Sequence, residues 1–135
     1  MRAIYLGILF VLATSCSPGR EIQLLNNTAE PLTLTGRTYT EKYEEHILAP
    51  RESRRIPDWY KEVRIQSRFG LWCYDLFPRP PRNFIATRAL GSIYYVRAQI
   101  ETNGTILVAA KEEELPVLPT KAQPVGYPVH PRGCA

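Results

Sequence analysis

The sequence predicts an all-β domain, a small immunoglobulin-like β-sandwich, with a small β-barrel as the alternative. The chain has 135 residues and contains twelve prolines, which interrupt helices. Short runs rich in valine, isoleucine, threonine and tyrosine alternate apolar and polar side chains, as strands with one solvated face do. The pair Asn103-Gly104 lies between two such runs and readily forms a tight hairpin turn.

Strand signals recur along the first half of the chain and are separated by turn residues. Residues 63–67 are the clearest case, because Val63 and Ile65 share one face while the residues between them are polar. Residues 26–30 predict the first turn, and Gly70 permits a bend. The predicted strands cover residues 21–28, 31–35, 45–48, 53–56, 63–67 and 71–77.

Residues 93–111 predict a β-hairpin in which Asn103 and Gly104 form a two-residue type I′ turn. This turn would pair Ile100 with Leu107, and the period of two would divide the side chains between two faces. The predicted inward face holds Tyr94, Val96, Ala98, Ile100, Leu107 and Ala109. The opposite face holds Ile106, Val108 and Ala110, so we expect another segment to cover this row of apolar residues.

The last segment, residues 112–135, is the candidate for that cover. It contains five prolines and no pattern typical of a helix. Its apolar residues lie in two stretches, 115–119 and 125–129, which favour an extended tail over a sheet. A disordered proline-rich tail is the alternative.

The first sixteen residues predict export from the cytoplasm. Arg2 precedes an apolar run over residues 3–12 that is too short to span a bilayer, and small residues follow it. The end of this leader, Ala13-Thr14-Ser15-Cys16, resembles the lipobox of bacterial lipoproteins, although Ala13 stands where that pattern usually has leucine. A soluble secretory protein cut after the small-residue triplet is the alternative.

The lipobox resemblance implies cleavage before Cys16 and acylation of both its sulfur and its amino group. Two or more acyl chains hold a protein firmly to a membrane, so the protein would be anchored. Ser17, which is not aspartate, implies an outer-membrane address that faces the periplasm. The predicted organisation is a signal peptide, a lipidated tether, a β-sandwich domain and a proline-rich tail, over residues 1–15, 16–20, 21–111 and 112–135.

Cys73 and Cys134 are then an even pair in an oxidising compartment, and we predict a disulfide between them. The strand register supports this prediction. Trp72 and Tyr74 are expected to face the core, so Cys73 would point outward, towards a crossing tail. Closing this loop would contribute about 4 kcal/mol to stability in the chain-entropy treatment. Two free thiols are the alternative.

No motif in the sequence identifies a reaction or a cofactor. His46 and His130 are the two histidines, and neither has a second ligand at a spacing typical of a metal site. Glu44 and Glu45 beside His46 are expected to be solvated. We therefore expect a non-enzymatic protein without a cofactor. Evidence for an enzyme would be an activity that is lost when His46 or Asp58 is substituted. An exported chain is not expected to bind nucleic acid.

The candidate binding residues are two aromatic and two basic ones, Trp59, Tyr60, Arg79 and Arg82. Flat rings on a β-sandwich can stack on sugars, whereas the alternative is that Trp59 plugs one end of the sandwich. Residues 79–84 form a stiff, proline-containing loop that suits contact with another protein. The formal net charge is +4, and solvated strand faces are the simpler interpretation of the arginines.

Taken together, these features favour a non-enzymatic envelope lipoprotein that binds or scaffolds other envelope components, either a protein or a glycan. A glycan-binding or hydrolase-inhibiting periplasmic module is the alternative. The two interpretations differ in whether a soluble glycan or a lysozyme-like enzyme raises the melting temperature of the domain.

Overall fold

The computed structural model describes residues 19–58, 60–75 and 77–134. The predicted leader, the predicted lipid site Cys16 and the candidate binding residue Trp59 lie outside these ranges. Nine strands and a short 3₁₀ turn, Arg82–Phe84, make up the described secondary structure. In chain order the strands are β1 Gly19–Asn26, β2 Leu32–Arg37, β3 Tyr43–Leu48, β4 Ser53–Pro57, β5 Glu62–Ser67, β6 Gly70–Tyr74, β7 Ile85–Arg88, β8 Ile93–Ile100 and β9 Ile106–Ala109.

The strands form two sheets that enclose one apolar core, which confirms the predicted β-sandwich; the described residues form no closed barrel. The smaller sheet has the order β3-β2-β5-β6 and is antiparallel throughout. Its strands alternate as the sequence predicts. Leu32 and Leu34 on β2, and Val63 and Ile65 on β5, face inward and are buried.

The larger sheet is built around β8. β1 pairs with the whole of β8 in parallel, with Gly19 opposite Ile93. β7 and β9 therefore share the other edge of β8, where β7 pairs with residues 93–96 and β9 with residues 97–100. β4 pairs with β1 at the outer edge. Because β1 and β8 are parallel, both begin at the same end of the sandwich.

The core contains side chains from both sheets. Tyr74 is buried within it and donates a hydrogen bond from its hydroxyl to the carbonyl oxygen of Gly104 at 2.6 Å. Burial raises the pKa of Tyr74, so the hydroxyl stays protonated and remains a donor. Trp72 packs against the same core, which confirms the prediction that these two aromatic residues face inward.

β8 and β9 form the predicted hairpin, but its predicted register is wrong by one residue. Ile100 pairs with Ile106 and not with Leu107. A shift of one residue exchanges the two faces of a strand. Ile106 and Val108 consequently join the main core, whereas Leu107 and Ala109 face away from it.

The turn chemistry explains the shift. The N–H of Gly104 donates to the carbonyl oxygen of Glu101 at 2.9 Å, which closes a turn around a three-residue loop. Gly104 has a positive φ of 83°, whereas Asn103 does not have the positive φ that a type I′ turn requires. The Asn103 side-chain oxygen instead accepts from the N–H of Thr105 at 3.0 Å. The loop is a turn followed by a glycine bulge, which is one residue longer than the predicted turn.

The tail is docked, as predicted, but it covers Leu107 and Ala109 and not the predicted row of Ile106, Val108 and Ala110, because the register shift exchanges the two faces of the hairpin strand. Leu107 and Ala109 form a second apolar cluster with Leu115 and Val117 from the tail. Gln99 is fully buried beneath the tail. Its side chain accepts from the N–H of Val117 at 2.6 Å and donates to the carbonyl oxygen of Val117 at 2.8 Å.

The end of the tail joins the edges of both sheets. Val129 exchanges two backbone hydrogen bonds with Ile106 on β9, at 2.8 and 3.0 Å. Three residues later, the N–H of Arg132 donates to the carbonyl oxygen of Cys73 on β6 at 2.8 Å. A disulfide joins Cys73 to Cys134, which confirms the predicted pair. The tail thus covers the side of the sandwich between β9 and β6.

Replacing Gln99 with leucine is expected to lower the free energy of unfolding by about 2 kcal/mol, because the buried N–H and carbonyl group of Val117 lose their partners. Chemical denaturation measures the change. The matched control is Gln123→Leu, which removes a similar pair of hydrogen bonds to Val108 at a half-buried position. Water can reach that position, so a smaller loss is expected. Equal losses for the two variants would contradict the effect of burial.

Candidate functional site

The candidate site is a cleft at the end of the sandwich where β1 and β8 begin. Its volume is about 100 Å³, which admits one ring or one side chain and is smaller than a typical small-molecule site. One wall belongs to the larger sheet, and the other is formed by the segment after β6 together with the tail. The lining residues are Arg20, Glu21, Ile22, Asp58, Phe77, Pro78, Arg79, Pro80, Ile85, Tyr94, Tyr95, Val96 and Tyr127.

The first wall is the continuation of the core face of β1 and β8. Arg20 lies opposite Tyr94 in the parallel pair, two residues before the core pair of Ile22 and Val96. The period of two places all four side chains on the same face. That face therefore changes from apolar to polar at the end of the sandwich. Tyr94 remains 37% exposed, so part of its surface is accessible at the cleft.

The second wall depends on contact between the tail and the segment after β6. The hydroxyl of Tyr127 donates to the carbonyl oxygen of Pro78 at 2.7 Å. Burial, together with the charge of Asp58, raises the pKa of Tyr127 and keeps this donor protonated. Gly126 has a positive φ of 89°, and a Cβ atom there would lie 3.0 Å from the Pro78 ring. A glycine thus allows the close approach of the tail that completes the cleft.

Asp58 provides the carboxyl group of the cleft. It directly follows β4, and its backbone N–H donates to the carbonyl oxygen of Arg20 at 3.3 Å. Burial raises the pKa of the Asp58 carboxyl group, and the positive charges of Arg20 and Arg79 only partly oppose this effect. A partly desolvated carboxyl group in a cleft is typical of a functional site, although structural networks produce the same shift.

Asp58→Asn is expected to raise the stability of the domain at neutral pH. The pKa of Asp58 is higher in the folded state, so its contribution to stability is fully present below the unfolded pKa. That contribution is lost as the pH rises through the folded pKa. Urea unfolding from pH about 3 to about 7 should therefore show that the free energy of unfolding of the variant increases relative to that of the parent as the pH rises. A variant that is less stable than the parent at neutral pH would indicate that attraction to Arg20 and Arg79 outweighs burial.

The structure separates the four candidate binding residues. Arg79 lines the cleft. Arg82 is exposed in the 3₁₀ turn and does not line it. Trp59 lies outside the described residues. Most of the lining residues, among them Arg20, Tyr94 and Tyr127, were not predicted as site residues. The sequence marked Tyr94 only as part of the inward face of the hairpin, and Tyr127 only as part of an apolar stretch of the tail.

The predicted use of Tyr60 as a stacking surface requires correction, because its ring is 4% exposed. The ring packs against the backbone of Gly36, where a Cβ atom would lie 2.4 Å away. Its hydroxyl donates to the carboxylate of Glu44 and lies 2.9 Å from Nε2 of His46. Burial and Glu44 both raise the pKa of Tyr60. Tyr60 therefore joins the core to a polar group on β3 and offers no free face to a sugar.

A second, wider groove lies at the opposite end of the sandwich, beside the tip of the β8–β9 hairpin. Its volume is about 480 Å³. Glu101 is the one carboxylate among its lining residues, and Nδ1 of His130 lies 3.2 Å from the hydroxyl of Thr105. Its other lining residues are short polar residues, prolines and Leu107. The cleft, which combines charge, partial burial and aromatic rings, is the better candidate site.

Within the described ranges, no three metal-ligating side chains come together. No helix in the described part of the chain is long and apolar enough to cross a membrane. Comparisons with protein-family models, curated proteins and solved structures found no match.

Proposed function

We propose that the chain is a non-enzymatic bacterial envelope lipoprotein that binds another envelope component through the cleft. In this proposal, lipid on Cys16 anchors the protein to the outer membrane, with its domain in the periplasm. The lipobox resemblance of residues 13–16 supports the anchor. The disulfide between Cys73 and Cys134 supports an oxidising compartment, because such bonds are rare in the cytosol.

The observation that carries the binding proposal is the grouping of Arg20, Arg79 and Asp58 in a cleft with aromatic walls. The two guanidinium groups outnumber the one carboxyl group that they face. Glu21, the other acidic lining residue, is paired with Arg88 at 2.5 Å. The cleft therefore favours a ligand group that carries a carboxylate, a phosphate or several hydroxyls.

The size of the cleft limits what can enter it. A volume of about 100 Å³ accommodates a single group that projects from a larger molecule. Peptidoglycan meets this description, because its peptide stems carry carboxylates beside sugar rings. Tyr94 provides a partly exposed aromatic side chain in the same cleft as the charged groups. We therefore propose peptidoglycan as the envelope component to test first.

The anchor is tested by the intact mass of the full-length protein isolated from its own membranes. The expected mass corresponds to a chain that begins at Cys16 and carries acyl groups. The protein should also leave the membrane fraction in the Cys16→Ser variant. An unmodified Cys16, with no retention on membranes, would contradict the lipoprotein proposal.

The ligand is tested by sedimentation of the protein with purified peptidoglycan sacculi. Arg79→Gln is expected to weaken binding by about tenfold, which is equivalent to about 1.4 kcal/mol. Arg82→Gln is the matched control, because Arg82 is exposed on the same segment but lies outside the cleft. Equal effects of the two variants would indicate attraction by net charge and would overturn binding in the cleft.

A hydrolase-inhibiting module is the second candidate, since the glycan-binding alternative coincides with the peptidoglycan proposal. The observation that favours it is the exposed segment around Arg79 and Arg82, whose flanking prolines make it stiff enough to enter an enzyme cleft. A lysozyme-like enzyme should then be inhibited by the parent and not by Arg82→Gln. Tyr94→Ala separates the two candidates, because it should weaken binding in the cleft without changing inhibition.

A further inference from the structure

The turn between β7 and β8 presents an unusually exposed apolar side chain. Leu90 is 108% exposed, which means that no described neighbour shields it. It lies in the four-residue connection 89–92 between Arg88 and Ile93. A single exposed leucine is ordinary on a protein surface, but this one combines an unfavourable backbone conformation with a position next to the row in which β1 begins.

The backbone of this turn holds Leu90 outward in an unfavourable conformation. Ala89 and Leu90 have φ angles of 53° and 55°, in the left-handed region that residues other than glycine rarely adopt. Two hydrogen bonds fix the turn, since the N–H and the hydroxyl of Ser92 both donate to the carbonyl oxygen of Ala89, at 3.1 and 2.7 Å. Asparagine or glycine would suit position 90 better in a turn that only reverses the chain.

The turn lies at the end of the sandwich from which the proposed lipid anchor emerges. Arg88, Ile93 and Gly19 are neighbours in one row across β7, β8 and β1. Because β1 and β8 are parallel, Gly19 and Ile93 both begin their strands at this end of the sheet. Cys16 is three residues before Gly19, a separation of at most about 11 Å. A lipid on Cys16 would bring this end close to the membrane.

We propose that the Leu90 turn contacts the lipid surface to which Cys16 is anchored. This inference rests on the proposed lipid anchor. The Leu90 side chain enters the boundary between headgroups and acyl chains, where its apolar surface leaves water. The contact adds a second point of attachment beside the tether and orients the domain on the membrane.

The surroundings of the turn suit a headgroup layer. Arg88 is paired with Glu21, and Arg20 in the next row shares the cleft with Arg79 and the single carboxyl group of Asp58, so positive charge is in excess there. Positive side chains attract anionic headgroups. Tyr94, which is partly exposed, has the apolar ring and polar hydroxyl typical of residues at membrane interfaces. The contact would hold the opening of the cleft near the membrane, where an envelope ligand would be met.

The test uses the full lipidated protein in vesicles of phosphatidylethanolamine and phosphatidylglycerol with brominated acyl chains. Bromine quenches tryptophan fluorescence only at close range. Leu90→Trp places the probe on the turn, and the parent chain gives the background from its own tryptophans. Leu118→Trp is the matched control, because Leu118 is also an exposed leucine, at 73%, but lies on the tail.

The Leu90→Trp probe is expected to lose about half of its added fluorescence in brominated vesicles, whereas the Leu118→Trp probe should lose almost none. Flotation of the vesicles is measured in parallel. Flotation with equal quenching at both positions would overturn this inference and leave the anchor intact. Failure of the proteins to float with the vesicles would overturn the anchor and, with it, this inference.

Discussion

Replacing Asn26 with alanine is expected to lower the free energy of unfolding by about 4 kcal/mol. Asn26 is fully buried at the end of β1. Its side-chain NH₂ donates to the carbonyl oxygens of Glu30, Leu48 and Ala49 at 2.8, 3.1 and 3.2 Å. Its side-chain oxygen accepts from the N–H and the hydroxyl of Thr28 at 3.0 and 2.7 Å. The Thr28 hydroxyl and the Glu30 carbonyl oxygen would keep the hydrogen bond between them at 2.9 Å, but an alanine would take a partner from each of the other groups, at about 1–3 kcal/mol for each that stays buried.

Denaturant unfolding at neutral pH measures this loss. Asn27→Ala is the matched control, because the next residue has the same side chain but binds the Glu101 carboxylate in a partly exposed position. We expect that variant to lose less than about 1 kcal/mol. Similar losses for the two variants would mean that water replaces the Asn26 side chain, and would contradict its role in joining three segments.

Removing the disulfide between Cys73 and Cys134 is also expected to lower the free energy of unfolding by about 4 kcal/mol. The two residues are 61 positions apart, so the reduced chain gains conformational entropy chiefly in its unfolded state. Cys134→Ser is the suitable variant, because Cys134 is exposed, whereas Cys73 is buried and a serine there would add a buried hydroxyl. Unfolding of the variant in urea, without reductant, measures the change.

Hydrogen exchange should locate the effect of this loss. The amide of Val129 is expected to exchange faster in Cys134→Ser, whereas the amide of Val117 should change less, because Gln99 holds it independently. Reducing the parent protein is the control and should reproduce the loss, while reductant should not affect the variant further. A loss below about 1 kcal/mol by both routes would show that the hydrogen bonds of the tail suffice.

The strands were predictable from the sequence because their signal is local. The alternation in β5 can be recognised from residues 62–67 alone. A period of two then predicts that Val63 and Ile65 are buried, as they are. The first strand was predicted to end at residue 28 but ends at Asn26. The Asn26 side chain accepts from the N–H of Thr28 and so forms a turn there. Local polar chemistry of this kind changes strand boundaries without changing their pattern.

The hairpin shows where a local signal becomes insufficient. Asn103-Gly104 correctly marked the position of the turn, but two loop lengths are compatible with that pair. The choice between them decides whether Ile106 or Leu107 faces the core. Both are apolar, so the alternation of β9 did not discriminate between the registers. In the structure the three-residue turn sets the register, and the tail covers the apolar face that this register turns away from the main core.

The cleft was largely beyond prediction. Its first wall requires the parallel pairing of Arg20 with Tyr94, which are 74 positions apart, and the second requires the tail to bring Tyr127 onto Pro78. Of the candidate binding residues, Arg79 was singled out by its place in a stiff loop and lies in the cleft, whereas Tyr60 proved to be buried. Position along the chain did not distinguish an accessible aromatic ring from a buried one.

The all-β class and most strand positions follow from the sequence alone, which also favoured the disulfide pair over free thiols and a docked tail over a disordered one. These features depend on side-chain period, turn residues and the number of cysteines, all of which can be read over short stretches or by counting. Tertiary structure alone decided the parallel pairing of β1 with β8, the hairpin register and the composition of the cleft. These depend on contacts between residues distant in the chain, where several pairings satisfy the same local pattern and only burial of the whole apolar surface selects one.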